Sequence, residues 1–341
     1  MIILGIETSC DETAAAVLKG KTCLADLIAS QTDLHEIHGG VVPELACRRH
    51  IETLRPLVAE TLQKGGCTLG QLQAVAVTAG PGLIGALLVG VSFAKSLAYA
   101  LRIPFIPVHH LEGHIASVFI EHDEVIFPAV ALVVSGGHTN LYLLARRGSY
   151  RLMGKSVDDA AGEVLDKGAR MLGYTYPGGP VIDRLAKLGD PGKIFFPRPR
   201  CAAPYDFSFS GLKSALARFL AGPRTEKDED IAAGYQSAVV DCLIEKTTSA
   251  AISAHAQSVI LVGGVAANSM LRRSIREMGD RLGLAVYIPS PRYCTDNAAM
   301  IATAGAIHYA AGQFAPLDFT PDPNLPLPTT SFGIKGRDNG P

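Results

Sequence analysis

The sequence predicts an α/β protein of two similar lobes with a cleft between them. Its 341 residues exceed the size at which one hydrophobic core usually stops growing. Two apolar runs flank a polar turn at residues 9–12, and the same strand–turn–strand pattern returns around residues 129–145. Strand and helix patterns alternate after each hairpin, which is typical of sheets covered by helices. We therefore expect a duplicated fold in which the two hairpin turns face each other across the cleft.

The first half opens with the hairpin, because two apolar runs enclose four polar residues. Apolar periodicity and turn residues define the elements that follow. The predicted elements are strands at 2–8, 13–18, 23–29 and 74–78, and helices at 43–63 and 83–101.

Residues 74–94 carry no charge and are long enough in principle to cross a bilayer. The segment Ala79-Gly80-Pro81-Gly82 interrupts this run, and proline and glycine favour a turn over a continuous helix. We therefore predict a buried strand, a glycine turn and a helix, and no association with a membrane.

The second half begins with the hairpin at 129–134 and 140–145, whose turn has the sequence SGGHT. Four helices, a strand, a helix, a strand and a last helix follow by the same criteria. Their predicted bounds are 161–172, 180–188, 211–220, 230–255, 258–262, 267–282, 285–288 and 295–311. The tail from Pro316 is rich in proline and polar residues, which indicates an irregular strap or a mobile end.

Composition excludes several classes of protein. Hydrophobic residues make up 48% of the chain and charged residues 18%, which excludes a disordered protein. The seven cysteines are odd in number and form no C-x-x-C pair, so a disulfide framework and a zinc ribbon are disfavoured and a reducing cytoplasm is expected. The net charge of −1 means that any nucleic acid must bind a local patch. The candidate patches, which could equally be solvated faces, are Arg48-Arg49, Arg198 with Arg200, and Arg272-Arg273 with Arg276.

A pair of histidines gives the sharpest local signal for a metal site. His110 and His114 lie four residues apart and share one face of a helix. Glu112 lies about 200° round that helix from both of them, so it cannot act as the base of an H-E-x-x-H peptidase. Asp296 could supply a carboxylate ligand, although Thr295 or Asp296 could instead cap the last helix.

Two glycine turns could receive an anionic or nucleotide ligand. Ser135-Gly136-Gly137 can present backbone N–H groups to a phosphate or carboxylate, or can be an ordinary hairpin turn. Gly263-Gly264, followed by Asn268, joins a strand to a helix and could lie against a ribose or base, or could serve close helix–strand packing. The spacing differs from G-x-G-x-x-G, which disfavours a dinucleotide-binding unit.

Acidic residues are placed where they could act on a substrate in the cleft. Asp11 and Glu12 lie in the first hairpin turn, where a carboxylate could orient a nucleophile or accept its proton, or could simply be solvated. A second group near the entrance of the second lobe could bind substrate hydroxyls. This group comprises Asp158, Asp159, Glu163, Asp166 and Asp183.

Taken together, these motifs closely resemble those of the tRNA N6-adenosine threonylcarbamoyltransferase family, once described as sialoglycoprotease-like proteins. The resemblance spans nearly the whole chain and keeps the order of the motifs. The matching segments are 5–13 (GIETSCDET), 38–45 (HGGVVPEL), 81–83 (PGL), 110–114 (HLEGH), 135–139 (SGGHT), 159–163 (DAAGE), 166–167 (DK), 176–180 (YPGGP), 207–213 (FSFSGLK), 263–268 (GGVAAN) and 294–297 (CTDN).

The resemblance implies the actin-like ATPase (ribonuclease H-like) fold, which agrees with the duplicated lobes. We expect an N-terminal lobe at 1–128 plus 295–325, a C-terminal lobe at 129–294 and a variable tail at 326–341. It also implies that His110, His114 and Asp296 bind one iron or zinc ion, and that Asp11, beside Glu12, orients or deprotonates the attacking amine. The residues implied to contact the adenylate are Val133, Val134, Ser135, Gly136, Gly137, Asp166, Gly179, Asp183 and Asn268, to which the turn at Gly263 and Gly264 adds a candidate surface.

The implied reaction moves a threonylcarbamoyl group from threonylcarbamoyl-AMP to N6 of the adenosine next to the anticodon in tRNAs that read codons beginning with A. The cleft is expected to accept ATP, ADP or AMP as well. The implied partners are tRNA, a related inactive paralogue and a small P-loop ATPase, in the cytoplasm. A metallopeptidase, a non-catalytic binding subunit of the same fold and a sugar or carboxylate kinase remain as alternatives.

Overall fold

The computed structural model describes residues 1–199 and 201–327, which contain two five-stranded sheets. The first sheet has the order β3-β2-β1-β4-β5. Its strands are β1 (Ile2–Glu7), β2 (Glu12–Lys19), β3 (Thr22–Ser30), β4 (Ala74–Gly80) and β5 (Phe105–His109). The helices of this half are α1 (Thr32–Glu36), α2 (Pro43–Lys64), α3 (Ile84–Leu101), α4 (His110–Ala116) and α5 (Val118–Glu121).

The second sheet has the order β8-β7-β6-β9-β10. Its strands are β6 (Ala129–Val134), β7 (Thr139–Leu144), β8 (Arg151–Lys155), β9 (Ser258–Val262) and β10 (Ala285–Tyr287). Its helices are α6 (Ala161–Met171), α7 (Gly178–Ala186), α8 (Ser210–Ala221), α9 (Asp228–Ser253) and α10 (Ser269–Leu282), and α11 (Ala298–Ala310) follows.

The two sheets repeat one topology, which confirms the predicted duplication. In each half the first strand pairs antiparallel with the second and parallel with the fourth. Sequence reasoning missed β5 and β8, each at or near a sheet edge and only five residues long. Four of the five residues of β8 are not buried, so this strand lacks the apolar alternation that reveals a half-buried strand.

The uncharged segment folds as predicted, with β4 ending at Gly80 and α3 beginning at Ile84. Among the described residues, α3 is the one helix long and apolar enough to cross a membrane by composition alone. Val91 and Ala94 of α3 nevertheless pack in one core cluster with Val75 and Val77 of β4. The core helix of a folded α/β half accounts for its composition.

Helix α11 follows the second sheet in the chain but packs on the first sheet, against β1, β2 and β4. Gly5 of β1 allows this approach, because a Cβ there would lie 2.4 Å from the carbonyl oxygen of Ala298 and 2.8 Å from the Cβ of Ala302. The packing carries Asp296 back to the first half of the molecule.

The segment that follows α11 forms a strap across the first half. Asp322 donates its backbone N–H to Ala79, and Pro323 accepts from Gly82. His109 donates from Nε2 to the carbonyl oxygen of Leu325 over 2.9 Å. The strap predicted from composition is thus present up to residue 327, and the tail at 328–341 lies outside the described residues.

Candidate metal centre and substrate cleft

Three side chains, two on α4 and one just before α11, meet in one cluster. His110 and His114 lie on one face of α4, as their spacing predicts, and Asp296 precedes α11. Asp296 Oδ1 lies 3.5 Å from His110 Nε2 and 3.1 Å from His114 Nε2. One ligand atom from each residue lies within 4.8 Å of the others. Two imidazoles and a carboxylate suit zinc or iron.

The cluster fits a metal ion better than a purely structural hydrogen-bond network. Both ring nitrogens of His114 are buried and find no hydrogen-bond partner among the described residues, although Asp296 Oδ1 lies 3.1 Å from His114 Nε2. Buried polar atoms without partners are rare in folded proteins. A cation between the three ligand atoms would satisfy the orphaned Nε2.

Helix α11 begins later than predicted, and this corrects the capping alternative for Thr295 and Asp296. Asn297 is the N-cap, and its Oδ1 accepts from the backbone N–H of Met300 over 2.8 Å. Asp296 therefore caps nothing, and its side chain is turned towards the histidines.

A carboxylate behind His110 orients its ring. Glu7 Oε2 lies 3.2 Å from His110 Nδ1 and also accepts from the Thr78 hydroxyl, while Glu7 Oε1 accepts from the backbone N–H of Ser9. A carboxylate can only accept, so Nδ1 carries the proton and Nε2 is left to face Asp296. Sequence reasoning assigned no role to Glu7, because its contact is with a residue 103 positions away.

In the absence of a metal, Asp296 and Glu7 favour the charged form of His110, and the two histidines favour the charged form of Asp296. Burial opposes the charged form of His110, but Asp296 and Glu7 outweigh it and raise the pKa of His110 to about 9. Burial opposes ionisation of Asp296 too, yet His110 and His114 hold the pKa of Asp296 well below its usual range. Burial, followed by the charges of His110 and His114, lowers the pKa of His138 to about 4. His138 of the second hairpin turn therefore lies close to the cluster, and sequence reasoning missed it.

The second hairpin turn leaves space beside the backbone of its two glycines. Ser135 donates its N–H to the His138 carbonyl over 2.8 Å, and nothing lies within 4 Å of the Cβ positions of Gly136 and Gly137. Helix α6 packs closely behind the turn, since a Cβ on Gly162 would lie 2.5 Å from the Ser135 carbonyl oxygen. Val133 and Val134 are fully buried in β6 and support the turn from within the sheet.

The polar residues expected around an adenylate already hold neighbouring backbone in place. Asp166 Oδ1 accepts from the N–H groups of Gly178 and Gly179, and Asp183 Oδ1 accepts from the N–H and hydroxyl of Ser269. Asn268 caps α10 through Leu271 N–H and donates to Gln236 over 2.7 Å. These contacts fix the backbone at Gly178, Gly179 and Ser269. The Asp183 Oδ2 atom pairs with Lys187 over 2.8 Å.

The two glycines of the turn after β9 differ in their surroundings, one suiting close packing and the other contact with a ligand. Gly263 has a φ of 95°, and a Cβ there would lie 2.2 Å from the Val134 carbonyl oxygen, so this glycine serves close packing. Gly264 has open space at its Cβ position and can lie against a flat ligand.

The two acidic residues of the first turn have different surroundings. Glu12 begins β2, and its Oε1 accepts from the Ser30 hydroxyl over 2.8 Å. Burial raises the pKa of Glu12 to about 7, against the lowering effect of the Ser30 hydrogen bond. Asp11 lies near Tyr176, whose pKa is raised well above its usual range by burial first and by the charge of Asp11 next. Tyr176 belongs to the second half, so the two halves approach each other here, a contact that no sequence pattern indicates.

The basic groups proposed as nucleic-acid patches are mostly engaged within the protein. Arg272 donates to the carbonyl oxygens of Ala266 and Pro289, and Arg49 pairs with Glu52 over 3.2 Å on the surface. Arg198 pairs with Asp241, while Arg200 lies outside the described residues. None of these contacts identifies an RNA-binding face.

Comparison with known proteins gives a consistent result. The family model described as tRNA N6-adenosine threonylcarbamoyltransferase matches residues 22–303. A relative of that name from Moorella thermoacetica is 52% identical over 331 residues, which cover 95% of this chain and 97% of the relative. Another from Symbiobacterium thermophilum is 50% identical and covers 96% and 97% of the two chains. Full-length HypF in its phosphate- and nucleotide-bound form superposes with a TM-score of 0.63 and 15% identity, over 92% of this chain and 47% of HypF. An activator of 2-hydroxyisocaproyl-CoA dehydratase with bound ADPNP superposes with a TM-score of 0.53 and 16% identity, over 92% and 97% of the two chains.

Proposed function

The chain belongs to the tRNA N6-adenosine threonylcarbamoyltransferase family, and from this premise we propose that it moves a threonylcarbamoyl group from threonylcarbamoyl-AMP to N6 of adenosine 37, next to the anticodon, in tRNAs reading codons that begin with A. The observation that carries the proposal is the cluster of His110, His114 and Asp296, which lies close to the second hairpin turn at His138. A metal site beside a backbone anion pocket suits a reaction at a carbonyl whose leaving group is a phosphate.

We assign His110, His114 and Asp296 as ligands of one divalent ion, iron or zinc. Such an ion, when bound, supplies Lewis acidity towards a substrate carbonyl. Glu7 holds the His110 ring with Nε2 towards the cluster, and the strap holds the start of α4 through His109.

The backbone of Ser135, Gly136 and Gly137 is assigned to the anionic part of the adenylate and to the departing AMP. The Ser135 N–H is engaged by His138, but the space beside Gly136 and Gly137 lets an anion approach their backbone closely, as a site for negative charge requires. The rest of the adenylate is assigned to the wall of the cleft, which also accommodates ATP, ADP or AMP. That wall comprises Val133, Val134, Asp166, Gly179, Asp183, Gly263, Gly264 and Asn268.

Asp11 is assigned to the attacking adenine amine, which it orients or deprotonates, with Glu12 beside it. Tyr176 approaches Asp11 from the opposite half, so the amine would be received between the two halves. An adenine can enter such a cleft only when it is unstacked, which suits a nucleotide of a tRNA loop.

We further propose that residues 1–128 with 295–325 form one lobe and residues 129–294 the other. The packing of α11 on β1, β2 and β4 supports this division. The assignment of tRNA, a related inactive paralogue and a small P-loop ATPase as partners, and of the cytoplasm as location, rests on family resemblance.

The peptidase alternative is disfavoured by the position of Glu112. This residue is fully buried and its Oε2 lies 3.0 Å from His308 Nε2, so it cannot activate water at the histidine cluster.

The test is transfer of labelled threonylcarbamoyl from threonylcarbamoyl-AMP to unmodified A-decoding tRNA, with the proposed partner proteins present. We expect transfer by the wild type and its loss in His110→Ala and Asp11→Ala. His122→Ala, which removes a histidine whose ring meets Tyr287 edge to face outside the cluster, is the matched control and should retain activity. A wild type that transfers nothing, under conditions where the Moorella relative is active, would refute the proposal.

A further inference from the structure

A buried carboxylate lies on the face of α4 that turns away from the candidate metal ligands. Glu112 is 0% exposed, and its Oε2 lies 3.0 Å from Nε2 of His308, which is 1% exposed. Nδ1 of His308 lies 2.8 Å from Gln313 Oε1, so both ring nitrogens of the histidine are engaged. Burial alone would lower the pKa of His308, but the hydrogen bond and charge of Glu112 raise it, which indicates an ion pair.

The charge of the same carboxylate acts on Tyr150, a buried tyrosine of the other half of the molecule. Tyr150 immediately precedes β8, and its ring is buried. Burial first, and then the adjacent Glu112 carboxylate, raises the pKa of Tyr150 well above its usual value. Among the described residues, the Tyr150 hydroxyl and Glu112 Oε1 are both buried and neither has a hydrogen-bond partner. Glu112 is therefore enclosed between a residue of α11 and a residue of the second sheet.

The buried ion pair of Glu112 and His308 has a desolvation cost that calls for a structural role. Burying an ion pair usually gains little stability over apolar residues of similar size, so its value lies in specifying geometry. Glu112 belongs to α4, which carries His110 and His114, and His308 belongs to α11, which starts two residues after Asp296. The helices are in close contact, since a Cβ on Gly113 would lie 2.7 Å from the Cδ1 of Ile301.

We propose that Glu112, through His308 and Tyr150, is a positioning residue for the metal centre, because it fixes the relative placement of the two helices that carry His110, His114 and Asp296. The inference rests on the proposed function in one respect, that these three residues bind a divalent ion. Glu112 touches neither metal nor substrate, and it acts through the orientation of α4 against α11 and the second sheet.

The test is binding of Co²⁺ to metal-free full-length protein. Calorimetry measures the Kd for Co²⁺, and the visible d–d spectrum reports the geometry of the ligands. The variants are Glu112→Ala, Glu112→Gln, His308→Ala, Tyr150→Phe and the double variant Glu112→Ala/His308→Ala. Glutamine keeps the size of the side chain and an oxygen acceptor for His308, and phenylalanine removes the Tyr150 hydroxyl alone. Tyr235→Phe is the matched control, because it removes a buried hydrogen bond of 3.1 Å to the Val164 carbonyl oxygen, within the core of the second half.

We expect Kd for Co²⁺ to rise by about 10- to 100-fold in Glu112→Ala and by less in Glu112→Gln, with altered d–d bands, since loss of residues that orient ligands has effects of this size. The double variant should bind no more weakly than the sum of its single effects would predict, because both residues act through one contact. Tyr235→Phe should lower the melting temperature and leave Kd and the spectrum unchanged.

The result that overturns the inference is a wild-type Kd and spectrum in Glu112→Gln and Tyr150→Phe, measured well below their melting temperatures. If Glu112→Ala does not fold, Glu112→Gln and Tyr150→Phe still show whether Glu112 positions the metal ligands. A wild-type protein that binds no Co²⁺ would refute the metal site itself, which is a different result from a site that binds normally in the variants.

Discussion

Replacement of Glu7 by glutamine tests how the ring of His110 is held with Nε2 towards the other candidate ligands. The carboxylate accepts three hydrogen bonds, from Ser9 N–H, the Thr78 hydroxyl and His110 Nδ1. Glutamine has one carbonyl oxygen and an NH₂ group that only donates. If the oxygen serves Ser9, the NH₂ group faces His110 Nδ1, and the ring must then carry its proton on Nε2.

The magnitude follows from these contacts. One buried donor left without an acceptor costs about 1–3 kcal/mol of stability. A neutral ring that keeps its one proton on Nε2 cannot offer that nitrogen to a cation, and loss of a residue that orients a ligand typically weakens metal binding about 10- to 100-fold. We therefore expect Glu7→Gln to bind Zn²⁺ about 10- to 100-fold more weakly, which corresponds to about 1.4–2.7 kcal/mol.

Isothermal titration of metal-free protein with Zn²⁺ at neutral pH measures this change, with thermal unfolding recorded in parallel. Glu44→Gln is the matched control, because Glu44 is exposed in the first turn of α2 and should titrate as the wild type does. A Kd for Zn²⁺ within twofold of the wild type, in folded Glu7→Gln protein, would refute the reasoning about the His110 proton.

Three further outcomes are expected. Because burial raises the pKa of Glu12 from 4.5 to about 7, folded protein binds more protons than unfolded protein between these pH values. The free energy of unfolding should therefore fall as pH rises from 4.5 to 7, and it should fall less steeply in Glu12→Gln. Denaturant titrations at several pH values would detect this difference. Gly162→Ala places a Cβ 2.5 Å from the Ser135 carbonyl oxygen, so it should cost about 1–3 kcal/mol of stability and weaken AMP binding in equilibrium dialysis, whereas Gly211→Ala, with open space, should not. Bound metal at 100 times its Kd should stabilise the protein by about 2.7 kcal/mol, so a chelator should lower the melting temperature of the wild type but not of His114→Ala; equal shifts in both would contradict the ligand assignment.

Elements with strong local signals were predictable from sequence. The strand at 258–262 was predicted with its observed bounds, and the four-residue spacing of His110 and His114 placed both on one helix face. The start of α11 was placed three residues early, since a run of capping residues does not reveal which side chain caps, and Asn297 does so.

Contacts between distant parts of the chain were not predictable in this way. Glu7 reaches His110, Glu112 reaches His308 and Tyr176 approaches Asp11 only after the sheets and helices have packed. Local patterns carry periodicity and turn chemistry, whereas these pairs depend on the placement of whole elements. The family resemblance supplied the ligand set but said nothing about the residues that orient it.

The return of α11 to the first sheet has a consequence for how the protein is made. Strands β1 to β5 are synthesised early, but α11, which covers the face of β1 and β2, is synthesised only after the entire second sheet. Until then the apolar residues Ile3, Ala14 and Ala16 have no α11 to bury them, and such surfaces attract chaperones and promote aggregation. Asp296 arrives at the same late moment, so the proposed set of three metal ligands is complete only when α11 has packed on the first sheet.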